Sequence, residues 1–136
     1  MNIVLAALAA SFVVFGSPRV EGTVDELAAR HETDCHGNAD CGLIRDELEL
    51  RLYDDLHMLY RLGEEVDCQT LHTAAAARFP PLALLALRWM QGKPMYGDDS
   101  AAATLENPSA SVRRAALVTL GDRLPPGVRQ IGRAHV

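Results

Sequence analysis

A chain of 136 residues with an apolar fraction of 49% can fill the core of one domain of ordinary size, which argues against disorder. Aromatics are scarce at 5%. Alanine and leucine dominate, and because both are good helix formers the mix favours packed helices over sheets. A formal charge of −5, with no basic run longer than Arg113-Arg114, disfavours nucleic acid and anionic membrane surfaces as partners on electrostatic grounds.

Residues 3–15 (IVLAALAASFVVF) are almost uninterruptedly apolar, long enough for a signal-peptide core and short for a bilayer-spanning helix. The expectation is export to the periplasm or the extracellular space, with residues 1–16 removed after Gly16, or a membrane anchor where they are retained; the alternative is a helix buried on all sides within a soluble domain. No Lys or Arg precedes the run, so the amino terminus of Met1 supplies its only positive charge.

After Pro18, Thr23-Val-Asp-Glu26 has the form of a capping box that opens a helix through about His31. The Gly-, Asn- and Asp-rich stretch 34–42 reads as a loop bearing Cys35 and Cys41. From residue 43 to 62, Ile44, Leu48, Leu52, Leu56, Leu59 and Leu62 recur at spacings of four and three, one stripe of an amphipathic helix. Arg45, Asp46, Glu47 and Glu49 fall on its other sides and read as solvated, and Gly63 terminates it.

Asp67 caps a helix to about Arg78, where Phe79-Pro80-Pro81 stops it. Residues 82–91 form an almost wholly apolar, buried helix; 92–97 is a loop, a short helix spans 100–106, and Pro108 precedes a helix over 112–124. Laid in register at an offset of about thirty residues, these two proline-led helices pair Leu82 with Val112, Leu85 with Ala115, Ala86 with Ala116, Leu87 with Leu117 and Met90 with Leu120.

Pro108, Val112-Arg113-Arg114-Ala115-Ala116, Leu120 and Gly121 resemble the second helix of a HEAT repeat, of the short variety found in phycobilisome lyase relatives and bacterial scaffold proteins. Asn107 stands where the family often has Asp, and Gln91 replaces the glycine in the earlier copy. The resemblance implies an all-α fold of antiparallel helix pairs, a fragment of an α-solenoid over 67–130, preceded by N-terminal helices with the cysteine loop over 17–66. It implies a binding or scaffold module for a protein partner, with no membrane contact after signal cleavage. Residues 131–136 (IGRAHV) resemble the translation of a sequencing adapter, so further repeats of the natural chain are expected to be missing.

For chemistry, Cys35 and Cys41 are expected to form a local disulfide, with a bridge from either to Cys68 as the other pairing and free thiols as the alternative to any bridge. Cys35, Cys41, Cys68 and His72 are also four acceptable zinc ligands, with Cys68 and His72 four apart on one helical face. A small zinc- or thiol-dependent domain is therefore the alternative, and the N-terminal part of a larger enzyme is another. His31 four before Cys35 resembles the start of the zinc-binding anti-sigma motif, but Asn38 stands where its next cysteine belongs. His31-Glu32 fails as a zinc-protease motif because His36 follows at the wrong spacing. No phosphate-cradling loop, nucleophile elbow or dinucleotide fingerprint is present. No enzyme activity and no cofactor are expected. His57 and His72 read as helical surface or core positions, and Trp89 and Met90 as core; an exposed Trp89 would be the first binding hot spot to test.

Overall fold

The computed structural model describes residues 18–32, 35 and 39–121, and among these it contains helices and no strand. The first helix, α1 (Pro18–His31), opens at Pro18, whose fixed φ suits a first turn. The expected capping box does not form. Thr23 is buried inside the helix and its hydroxyl donates to the Arg19 carbonyl at 2.9 Å, so a residue type favoured at caps is used to back-bond the preceding turn.

Helix α2 (Ala39–Arg61) spans 23 residues, about 35 Å at the standard helical rise. It takes in Asp40, Cys41 and Gly42, which the turn-forming composition assigns to a loop; Asp40 in the first turn complements the helix dipole. At the other end the prediction holds. Gly63 adopts φ 74°, its N–H donates to Tyr60 at 3.1 Å, and the N–H of Glu64 reaches Leu59 at 3.0 Å, a left-handed cap that satisfies the last carbonyls.

The buried face of α2 departs from the apolar stripe. Leu48, Leu52 and Leu56 are buried, but Ile44 is 37% and Leu62 67% exposed, while Arg45 and Glu49, expected in solvent, are buried. The cause is packing from two sides, since α2 touches both α1 and the later helix α4, so its buried band is wider than one stripe.

Helix α3 (Cys68–Ala75) is capped as expected, with the Asp67 carboxylate accepting from the Thr70 N–H at 2.8 Å. It ends short of Arg78. The prolines open the next helix as well as separating it: α4 (Pro80–Met90) has Phe79 as its cap residue and prolines in its first positions. A single 3-10 turn (Pro94–Tyr96) follows, with Tyr96 buried and its hydroxyl donating to the Val66 carbonyl at 3.0 Å. Helix α5 (Asp99–Ala103) continues into a 3-10 turn (Thr104–Glu106). Helix α6 (Ala110–Leu120) ends on Gly121 at φ 52°. Arg113 secures its approach, donating to the carbonyls of Asn107 and Pro108 at 2.8 and 2.9 Å.

Neighbours in sequence pair, α1 with α2, α3 with α4 and α5 with α6. The pairs also meet in layers: α1 contacts α3 and α3 contacts α5, while α2 contacts α4 and α4 contacts α6. Burial repeats along this arrangement. Helices α4 and α6 have eleven residues each and begin thirty residues apart, and Leu82 with Val112, Ala86 with Ala116, and Met90 with Leu120 are buried in both copies. The other two expected pairs differ, because Leu85 and Leu87 are buried but Ala115 and Leu117 only partly so. Helix α4 has a neighbour on each side within its layer, whereas α6, among the described residues, has one.

The same offset reaches earlier than sequence comparison suggests. Leu52 and Leu56 stand thirty before Leu82 and Ala86, and in the odd layer Thr70, Leu71 and Ala74 correspond to Ser100, Ala101 and Thr104; all of these are buried. The relation stops at α1, since thirty before Leu71 lies Cys41, already in α2.

No helix among the described residues is long and apolar enough to cross a membrane. This corrects the membrane-anchored localisation. Residues 3–15, which prompted the export and anchor expectations, lie outside the described residues, as do His36 and everything after Gly121.

Candidate functional site

Two places on the molecule hold more chemistry than packing requires. The first is the end where α1 hands over to α2. Cys35 and Cys41 are bonded to each other there, with Cα atoms 5.5 Å apart, as their proximity in sequence implies. This excludes the bridge to Cys68, whose thiol is free and exposed and whose Sγ lies 3.6 Å from the Met95 carbonyl. The four-ligand zinc set is also broken, because two of its thiols are consumed in the disulfide and His72 turns its Nδ1 to the Ser100 hydroxyl at 2.7 Å. Among the described residues no three His, Cys, Asp or Glu side chains gather in a way that could hold a metal ion.

The residues that do gather at this end carry charge. Arg45 is 8% exposed, and its Nε finds no hydrogen-bond partner; the same is true of the buried Nε2 of His31. Burial lowers the His31 pKa, and the charges of Arg45 and then His72 push it further down, so His31 stays neutral to more acidic pH than an ordinary histidine. The histidines of α1 and α3 and the arginine of α2 thus share one electrostatic neighbourhood, with Arg45 one helical turn after Cys41.

One turn along the same face of α2, Glu49 is fully buried and satisfied. Its Oε1 and Oε2 accept from the Arg78 N–H at 2.7 and 3.0 Å, and Oε1 also lies 3.3 Å from the Phe79 N–H. Phe79 offers no side-chain cap to α4, so a carboxylate from another helix satisfies the backbone of the turn that introduces it. Burial raises the Glu49 pKa above its ordinary value, while the two backbone N–H groups pull it back; Asp46 adds to the rise and Arg45 opposes it.

The second place is the outer face of the even-numbered helices. On α2, Tyr53 stacks on His57 with centroids 5.6 Å apart and meets Phe79 edge-on at 5.6 Å. Tyr60 meets the buried Trp89 edge-on at 5.2 Å, and the Arg88 guanidinium carbon lies 5.8 Å above the Tyr60 ring. Trp89 itself is 1% exposed, which removes it as a surface anchor and makes it the floor beneath Tyr60. Two grooves flank this aromatic seam. One is lined by Asp46, Leu50, Arg78, Phe79 and Pro80. The other lies between α4 and α6, lined by Arg88, Gln91, Arg114, Ala115 and Val118 and by no acidic residue. Leu50 and Val118 are 50% and 61% exposed, so apolar surface is open at both.

Comparison with known protein families, with characterised proteins and with solved structures finds no match to this chain.

Proposed function

We propose that the protein is a HEAT-like helical-repeat module whose stacked antiparallel hairpins present the even-numbered helices to a protein partner. The observation that carries the reading is the thirty-residue recurrence of buried positions through two layers of helices. In a stacked array each unit buries its apolar face only against neighbours, so the same positions are buried in every unit and the outer faces form one continuous surface. Here that surface is grooved, aromatic and partly apolar, as partner-binding surfaces are. In a chain of net charge −5, the groove bearing Arg88 and Arg114 without an acid suits a partner segment that combines acidic and apolar side chains.

The experiment is site-specific photocrosslinking in the producing cell, with the crosslinker at Leu50 or Val118 and, as control, at exposed Asp25 on α1. One protein captured from both Leu50 and Val118 but not from Asp25, and lost when Arg88 and Arg114 are changed to Glu, supports the reading. Equal capture from Asp25, or none from the even-helix face, contradicts it.

A further inference from the structure

The disulfide end has a chemistry that a docking surface does not use. Cys41 lies in the first turn of α2, where backbone N–H groups lack partners within the helix and the dipole favours negative charge. Arg45 follows one helical turn later on the same buried face, with an Nε that has no acceptor among the described residues. A buried guanidinium whose Nε lacks an acceptor is costly, and an anion formed beside it lowers that cost. In the oxidised protein Cys41 is neutral; reduction would create that anion.

We propose that Cys35–Cys41 is a reducible pair, in which a dithiol reductant attacks Cys35 and Cys41 departs as a thiolate held by Arg45 and the N-terminus of α2. The direction follows from exposure, since Cys35 is partly exposed and Cys41 is 7% exposed, and from leaving-group chemistry, since the thiol with the more stable thiolate leaves faster. In the first step a thiolate of the reductant forms a bond to Cys35 Sγ, the Cys35–Cys41 bond breaks, and its electron pair goes to Cys41. In the second step the reductant's other thiol displaces Cys35, which takes up the proton that thiol loses. The reductant ends as its own disulfide and the protein as one thiol and one thiolate, a two-electron reduction.

The titratable and charged groups at this end are His31 from α1, Asp40, Arg45 and Glu49 from α2, and His72 from α3. Asp40 is exposed and screened by solvent, and the Glu49 carboxyl is engaged by the N–H groups of Arg78 and Phe79, whereas Arg45 is buried with a free Nε, so the balance favours negative charge at Cys41. This differs from a purely structural staple, whose reduced cysteines have no charge waiting for them. The proposal stands independently of the scaffold reading.

The test uses the full chain with Cys35 and Cys68 changed to Ser, leaving Cys41 as the single thiol, and follows the ultraviolet absorbance of its thiolate against pH. The expected midpoint lies at least about one unit below the roughly 8.5 of an ordinary thiol; Arg45→Lys keeps most of that depression and Arg45→Gln loses it. In parallel, the oxidised wild-type chain is treated with glutathione and the mixed disulfide is located by mass spectrometry, with the adduct expected on Cys35. A Cys41 midpoint at or above about 8.5, or an adduct on Cys41, overturns the proposal. Circular dichroism checks that each variant folds; should Arg45→Gln not fold, the midpoint of the parent chain and the site of the adduct still decide.

Discussion

Glu49 and Arg45 are buried charges four residues apart on one face of α2, and they end differently. Glu49 reaches across to the α3–α4 turn and meets two backbone N–H groups. Arg45 sits beside the disulfide with an orphaned Nε. Both escape detection as core residues, because charged residue types are almost never fully buried unless paired. The difference teaches that burial alone does not give a charge its role. Where the hydrogen bonds are complete the charge fixes an architecture, and where they are not it marks a place poised for chemistry.

The largest effect is expected at the Glu49 end, where the backbone it pins leads into the fully buried Leu82. Leu82→Ala should destabilise the protein by about 4 kcal/mol in urea unfolding, the transfer loss plus the cavity; a loss under about 1 kcal/mol would show that α4 is not central to the stack. Glu49→Met should cost about 3 kcal/mol, because the N–H groups of Arg78 and Phe79 lose their acceptor.

The pH dependence at this position has a definite sign. A carboxyl raised by burial contributes stability below its ordinary value of 4.5, and that contribution is lost as pH rises through its folded value. The stability of the wild type relative to Glu49→Gln should therefore be greatest in acid and shrink toward neutral pH. A difference that grows with pH would mean that the backbone hydrogen bonds outweigh burial.

At the other end the effects should be smaller. Cys35→Ser opens a short loop and should cost about 2 kcal/mol by the chain-entropy relation, with the recurrence of burial in α4 and α6 unaffected in hydrogen exchange. Arg45→Met, which replaces a buried guanidinium with an orphaned Nε by an apolar chain of similar length, should leave the oxidised protein within about 1 kcal/mol of wild type or more stable. If Arg45→Met is as damaging as Glu49→Met, Arg45 has partners and the contrast between the two ends fails.

Much of the fold is legible in the sequence because its signals are local. Asp67 caps α3, Gly63 and Gly121 end helices at positive φ, and the apolar character of 82–90 fits a helix covered on most sides. The misreadings have one origin, tertiary context. Thr23 has the sequence form of a cap but sits mid-helix because Pro18 opens α1 earlier, and Ile44 lies on the apolar stripe yet outside the band that α1 and α4 cover. The disulfide is legible from proximity along the chain. The setting of Arg45 and the reach of Glu49 to Arg78, 29 residues away, are not, since no local pattern encodes a bond between a helix and a distant turn. The thirty-residue spacing of buried positions is visible where Pro108 and Gly121 punctuate it, and hidden in α2, where the extra length of the helix masks it.

The proposed thirty-residue stacking unit is best challenged by adding one more. A second copy of residues 92–121 inserted after Gly121 should lay its long helix on α6 and its short one on α5, covering Ala115 and Leu117, whose counterparts Leu85 and Leu87 are buried, and leaving Val118 exposed as its counterpart Arg88 is. The extended chain should fold with more helix by circular dichroism, a higher Tm, and hydrogen-exchange protection in α6 raised toward that of α4. An inserted copy that stays unprotected, with the Tm unchanged or lowered, would contradict the account.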